Sequence, residues 1–136
     1  MTPKDQERLF DPAYAKELMI IAKGDLDSAR GLSQIKEGRP ENILFLIQQS
    51  MEKAFKAVLC AKSIPIPLVH DLGVLIAKMP ANLAPPSGYS LTQFNQYATV
   101  RRYEEGKSPL TKKDIHAALE IGEQVLEWSS KNIGLS

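Results

Sequence analysis

The run Phe-Leu-Ile-Gln-Gln-Ser-Met-Glu-Lys-Ala-Phe-Lys at residues 45–56 limits the fold more than any other part of the chain. Helical geometry turns about 100° per residue, which puts Leu44, Ile47, Met51, Ala54, Phe55 and Val58 on one side. Gln49, Glu52, Lys53 and Lys56 gather on the other, at the spacings of helical neighbours. Such a helix must pack its apolar side on other helices. Its ordered polar side must meet water, a second subunit or a ligand.

The rest of the chain repeats this kind of element. Sustained period-two alternation and Asn-Gly or Asp-Gly turns are absent, so strands are not expected. A first helical block runs from about Asp11, a candidate N-cap followed by Pro12, to Ile35. Tyr14, Leu18, Ile21, Ala22, Ala29 and Leu32 form its expected core stripe, and Gly38 and Pro40 end it. The second block spans about Glu41 to Lys62 and stops before Pro65 and Pro67. A shorter third block starts near His70, carries Leu72, Leu75, Ile76 and Met79, and ends before Pro80. Pro80 to Gly88 reads as a surface loop. A fourth block starts near Ser90 as N-cap, holds Leu91, Phe94, Tyr97 and Ala98, and fades at Gly106-Lys107-Ser108-Pro109. The last opens at Thr111 with Asp114 three residues on, an acidic variant of the capping box, and continues to about Lys131. The expected fold is all-α: an antiparallel up-and-down bundle of four to five helices, a single domain over residues 1–136 with its core at about 11–132.

Composition removes several classes of function. The 136 residues suit one domain, and 43% hydrophobic content suits a globular one. Seventeen basic and sixteen acidic residues leave a net charge of +1, so any attraction for nucleic acid must be local. The lone Cys60 excludes an internal disulfide and a thiolate cluster, and its apolar neighbours suggest a buried, inert thiol. The two histidines lie far apart with no cysteine near, a poor metal signature, and no cofactor or metal is expected. No phosphate-binding loop, Gly-x-Ser-x-Gly elbow or His-Glu-x-x-His motif occurs. The N-terminus lacks an apolar signal segment and no apolar run reaches the roughly 20 residues of a membrane span, so a cytoplasmic protein without membrane contact is expected.

A few residues depart from a plain helical bundle. Asp25 falls in the first helix's expected apolar stripe, where a carboxylate needs a partner. It either pairs with a cation on another helix, or sits in a polar pocket against Arg101 or Arg102 and shares a ligand, or reaches water. Arg101-Arg102 offers planar cationic forks suited to phosphate, offset by Glu104 and Glu105 directly after. His70 either braces the start of the third helix or serves as a general base. His116, at the flank of the last helix's stripe, reads as a packing or surface residue. Lys53 and Lys56 stand near Glu52 and suggest an ion-paired face.

Taken in order, Ala22-x-x-Asp25-Leu26-x-x-Ala29, Gln48-Gln49-Ser50-Met51-Glu52-Lys53-Ala54-Phe55-Lys56-Ala57, His70-Asp71-Leu72-x-x-Leu75, Tyr97-Ala98-x-x-x-Arg102-Tyr103 and Val125-Leu126-Glu127-Trp128 resemble a HEPN domain (higher eukaryote and prokaryote nucleotide-binding domain) over residues 14–130. The resemblance implies an up-and-down bundle that forms a homodimer. For stand-alone prokaryotic members it implies a minimal nucleotidyltransferase partner in a toxin–antitoxin pair. Other members are metal-independent ribonucleases with an Arg followed four to six residues later by His. Arg30, Arg39, Arg101 and Arg102 all lack that histidine. Tyr103 after Arg102 is similar to the branch whose expected role is nucleotide or polynucleotide binding.

Two functions from different classes follow. One is a binding or regulatory module with Asp25, Lys53, Lys56, His70, Arg102 and Tyr103 as ligand-binding candidates and no catalytic set. The other is a metal-independent endoribonuclease in which His70 acts as base and Arg102 stabilises the phosphorane. A third reading makes the polar stripe of residues 49–56, extended by Phe45 and Leu46, an interface between two copies.

Overall fold

In the computed structural model, which describes residues 6–98 and 110–134, four α-helices and one long 3₁₀ helix account for most of the chain. The helices are α1 (Ala15–Ser33), α2 (Pro40–Ala61), α3 (Leu72–Ala77) and α4 (Lys112–Asn132). The 3₁₀ helix spans Gly88–Tyr97. Two short strands, β1 (Glu7–Arg8) and β2 (Ile66–Pro67), pair antiparallel with Glu7 opposite Pro67, a small exception to the all-helical expectation. The all-α bundle is as expected. None of the described helices is long and apolar enough to cross a membrane.

α2 is the axis of the molecule. It packs against α1, α4, α3 and the 3₁₀ helix, so little of its circumference is left to water. Ile47, Met51, Ala54, Phe55 and Val58 are fully buried, as their spacing predicts. The polar side is buried further than its composition suggests: Gln48, Ser50 and Glu52 are inside as well. Ser50 is satisfied by donating to the carbonyl of Ala22 at 2.7 Å, which also ties α2 to α1. The Phe55 ring meets Trp128 of α4 edge to face at 5.9 Å.

α1 begins later than its cap suggests. Asp11 does cap, accepting from the Ala13 amide at 2.9 Å, but it caps a single 3₁₀ turn (Pro12–Tyr14) that leads into α1. The buried line of α1 is Ala15, Leu18, Met19, Ala22, Leu26 and Ala29. Tyr14 and Ile21, expected in the core stripe, stand in water instead. The stripe is turned toward Met19 and Leu26, and this moves Asp25 to its edge.

The fourth block departs most from expectation. It is 3₁₀ helix, and its N-cap is Ser87 in left-handed backbone, not Ser90. The cause is local. Ser90, Thr92 and Gln96 turn their side chains back to the carbonyls three residues earlier, at 2.6, 2.8 and 2.9 Å, and so favour the tighter turn. Asn95 then fastens this segment to α3, accepting from the Leu72 amide and donating to Asp71, whose carboxylate caps α3 through the Gly73 amide. α4 starts with the full capping box at Thr111 and Asp114, as its spacing predicts. Cys60 is buried with its Sγ donating to the Asp11 carbonyl at 3.1 Å; burial, and then the nearby Asp11 charge, push its pKa up.

Candidate functional site

Three of the motifs meet where α1, α2 and the start of α3 come together. The positions 48, 52 and 56 follow one another a helical turn apart on α2, as do 49 and 53. This stacks Gln48, Glu52 and Lys56 in one row and Gln49 and Lys53 in the next. His70 comes from the segment just before α3, and Asp25 from the edge of α1.

Glu52 is the centre of the cluster. It is only 3% exposed, and its two oxygens have different partners. Oε2 holds Lys56 Nζ at 2.9 Å, and Oε1 lies 3.0 Å from His70 Nδ1. A carboxylate oxygen only accepts, so the contact keeps the proton of a neutral imidazole on Nδ1 and gives Nε2 the free lone pair. Gln48, fully buried, donates to the backbone carbonyl of His70 at 2.9 Å. Ring and backbone of His70 are therefore both fixed from α2, while 65% of its side chain faces solvent.

The second row carries a separate chain of contacts. Lys53 Nζ donates to Gln49 Oε1 at 2.9 Å and forms an ion pair with Asp25 Oδ2 at 3.4 Å. Gln49 donates to Gln48 Oε1 at 2.7 Å and so connects the two rows. Asp25 and Lys53 are about equally exposed, near a quarter each, which places the pair at the rim. Two lysines and two carboxylates cancel in charge. The cluster is thus a site of fixed, directional donors rather than a basic patch.

Of the residues singled out by sequence, Asp25, Lys53, Lys56 and His70 come together here. Asp25 takes the first of its three expected roles, pairing with a cation on another helix. Arg102 and Tyr103, with Arg101, lie outside the described residues. His70 braces the start of α3, although the cap itself is Asp71. His116 is on the surface beside Glu120 at 3.2 Å, away from the cluster. Glu52, Gln48 and Gln49 are the members that sequence reasoning leaves out of the site. The signal that could have found them is the four-residue recurrence of Gln48, Glu52 and Lys56 beside Phe55 and Leu59, which puts a polar row on a helix buried on most sides. Among the described residues, no group of three or more His, Cys, Asp or Glu side chains is placed to hold a metal ion.

A search of curated proteins finds no match to the chain. The crystal structure of TT1696 from Thermus thermophilus superimposes with a TM-score of 0.72, covering 88% of this chain and 98% of that one at 21% identity, a similarity of fold. The model of the HEPN domain family matches residues 15–133, from the first residue of α1 to just past the end of α4. With Asp25, the Gln48–Lys56 row and His70 all inside that span, the chain belongs to the HEPN domain family.

Proposed function

We propose that this protein is a nucleotide- or polynucleotide-binding module that also pairs with a minimal nucleotidyltransferase, in the manner of a toxin–antitoxin couple. The observation that carries the reading is the Glu52-centred cluster: Lys53, Lys56 and His70 are each held in place by a neighbour before any ligand arrives. Preorganised donors lose little freedom on binding, which favours a specific contact. The balanced charge of the cluster argues for a phosphate or carboxylate met at close range, not for diffuse attraction to a polyanion. Arg102 and Tyr103 belong to the same reading through the family resemblance.

Titration of nucleotides and short single-stranded RNA, followed by calorimetry, tests the proposal. Saturable binding is expected. Lys53→Ala and Arg102→Ala each weaken it by about 1–3 kcal/mol, the range of a charge-assisted hydrogen bond. Binding by neither class of ligand, or binding untouched by both variants, would reject the site.

A second reading keeps some support from the Glu52–His70 contact, because a carboxylate that orients an imidazole is also how a general base is built. That is the endoribonuclease. It predicts metal-free RNA cleavage that His70→Ala abolishes, and RNA left intact after prolonged incubation leaves the binding module alone in place.

A further inference from the structure

A groove of about 610 Å³ opens where the turn after α1, the start of α2 and the start of α4 meet. It is separate from the Glu52 cluster: Ile43, in its lining, precedes Glu52 by nine residues on α2, roughly 14 Å along the helix axis. Much of the lining is apolar. Ile43 and Ile115 are buried, Leu110 and Leu119 are half-buried, and Ile35, just past the end of α1, is 51% exposed.

The charged side chains of the groove share one sign. Lys36, Lys112 and His116 line it and no aspartate or glutamate does, in a chain with nearly as many acids as bases. Glu120 meets His116 from outside the lining, and Asp114 is turned onto the Thr111 cap. Among the described residues, neither Lys36 nor Lys112 has an ion-pair partner. Lys112 is also the first residue of α4, where a cation faces the positive end of the helix dipole and costs stability. Folding alone therefore gives no reason for a lysine there.

We infer that this groove binds a small amphipathic carboxylate: an alkyl chain that lies against Ile35, Leu110 and Leu119, with an end carboxylate that meets Lys36 and Lys112. Size selects a small molecule over a protein. The volume falls within the range of about 300–1,000 Å³ typical of small-ligand pockets. Its thirteen lining residues fall short of the roughly 20–30 that a protein partner covers. Charge selects an anion, which offsets both lysines and the positive end of α4 together. A carboxylate suits the groove better than a phosphate because no arginine fork lines it. The inference is independent of the nucleotide reading, whose ligand sits at the Glu52 cluster.

Titration with octanoate, followed by amide chemical shifts, tests it. Saturable shifts are expected at Ile35, Lys36, Ile43, Ile115 and Leu119. 1-Octanol and acetate, which keep only the chain or only the charge, bind at least about tenfold more weakly. Ile35→Glu and Lys36→Glu, both at exposed positions, raise the octanoate dissociation constant at least about tenfold at unchanged circular dichroism. Lys112→Glu separates the proposal from a structural role: an acid at the helix start raises the thermal unfolding temperature, while octanoate binding weakens. No saturable binding at millimolar octanoate, or shifts centred outside the groove, overturns the inference. So does 1-octanol bound as tightly as octanoate, or a dissociation constant unchanged in Lys36→Glu and Lys112→Glu.

Discussion

Glu52 shows how much depends on one side chain being buried. Its carboxylate is shielded from water and is met by Lys56, His70 and, at 3.4 Å, Gln49. Removing it strands Lys56, itself only 16% exposed. Glu52→Leu should therefore destabilise the fold by about 1–3 kcal/mol in urea unfolding, the cost of leaving a buried charged donor unpaired. Glu52→Gln keeps an acceptor and should lose clearly less. Asp25 provides the contrast. It sits at the rim, its pair with Lys53 is partly solvated, and Asp25→Asn should change stability by no more than about 1 kcal/mol. If Asp25→Asn proved the more damaging of the two, burial would be the wrong guide to this cluster. The sequence shows both acids, but helical phase alone assigns Asp25 to the core stripe and Glu52 to the polar face. Their actual burial is the reverse, because α1 is rotated toward Met19 and Leu26 and α2 is surrounded on most sides.

At the level of elements, legibility follows the strength of local chemistry. The start of α4 is plain because Thr111 and Asp114 satisfy each other's backbone at fixed spacing. Thr111→Ala should cost about 1 kcal/mol of stability, measured by thermal unfolding. The same cap carries a pH signature. Hydrogen bonds from the Thr111 backbone and side chain hold the Asp114 pKa below its ordinary value. A carboxyl lowered on folding stabilises the native state fully above its unfolded pKa of about 4. That contribution fades as the pH falls through the lower, folded value, so Asp114→Asn should narrow the stability gap between neutral and strongly acid solution. An unaltered gap would mean that the cap does not form. The α1–α2 turn rests on a different requirement. A Cβ on Gly38 would collide with the backbone carbonyl of Leu32, so the turn closes only with glycine there. Gly38→Ala should destabilise by about 1–3 kcal/mol or more, as backbone must move, and a neutral result would show that the turn has another conformation within reach. The 3₁₀ segment is illegible for a physical reason. Leu91, Phe94 and Tyr97 are spaced three apart, which suits either helix type, and the competing side-chain bonds of Ser90, Thr92 and Gln96 decide between them.

Across the whole molecule, the order of helices can be read from proline and glycine punctuation, and the family from short motifs in a fixed order. What cannot be read is their convergence. Gln48 reaches His70, 22 residues on, and Lys53 reaches Asp25, 28 residues back, through packing that no local pattern encodes. The same packing makes α2 both the core of the bundle and the floor of the proposed site, so the fold that buries Glu52 also sets the geometry of Lys56 and His70. The central claim is that this cluster is where a ligand binds, and amide chemical shifts recorded during titration with a short single-stranded oligoribonucleotide address it most directly. The account predicts saturable shifts concentrated at Asp25, Gln49, Lys53, Lys56 and His70, with little change around Ser33, Lys36 and His116 at the far groove between α1 and α4. Shifts confined to that groove, with the cluster silent, would contradict it.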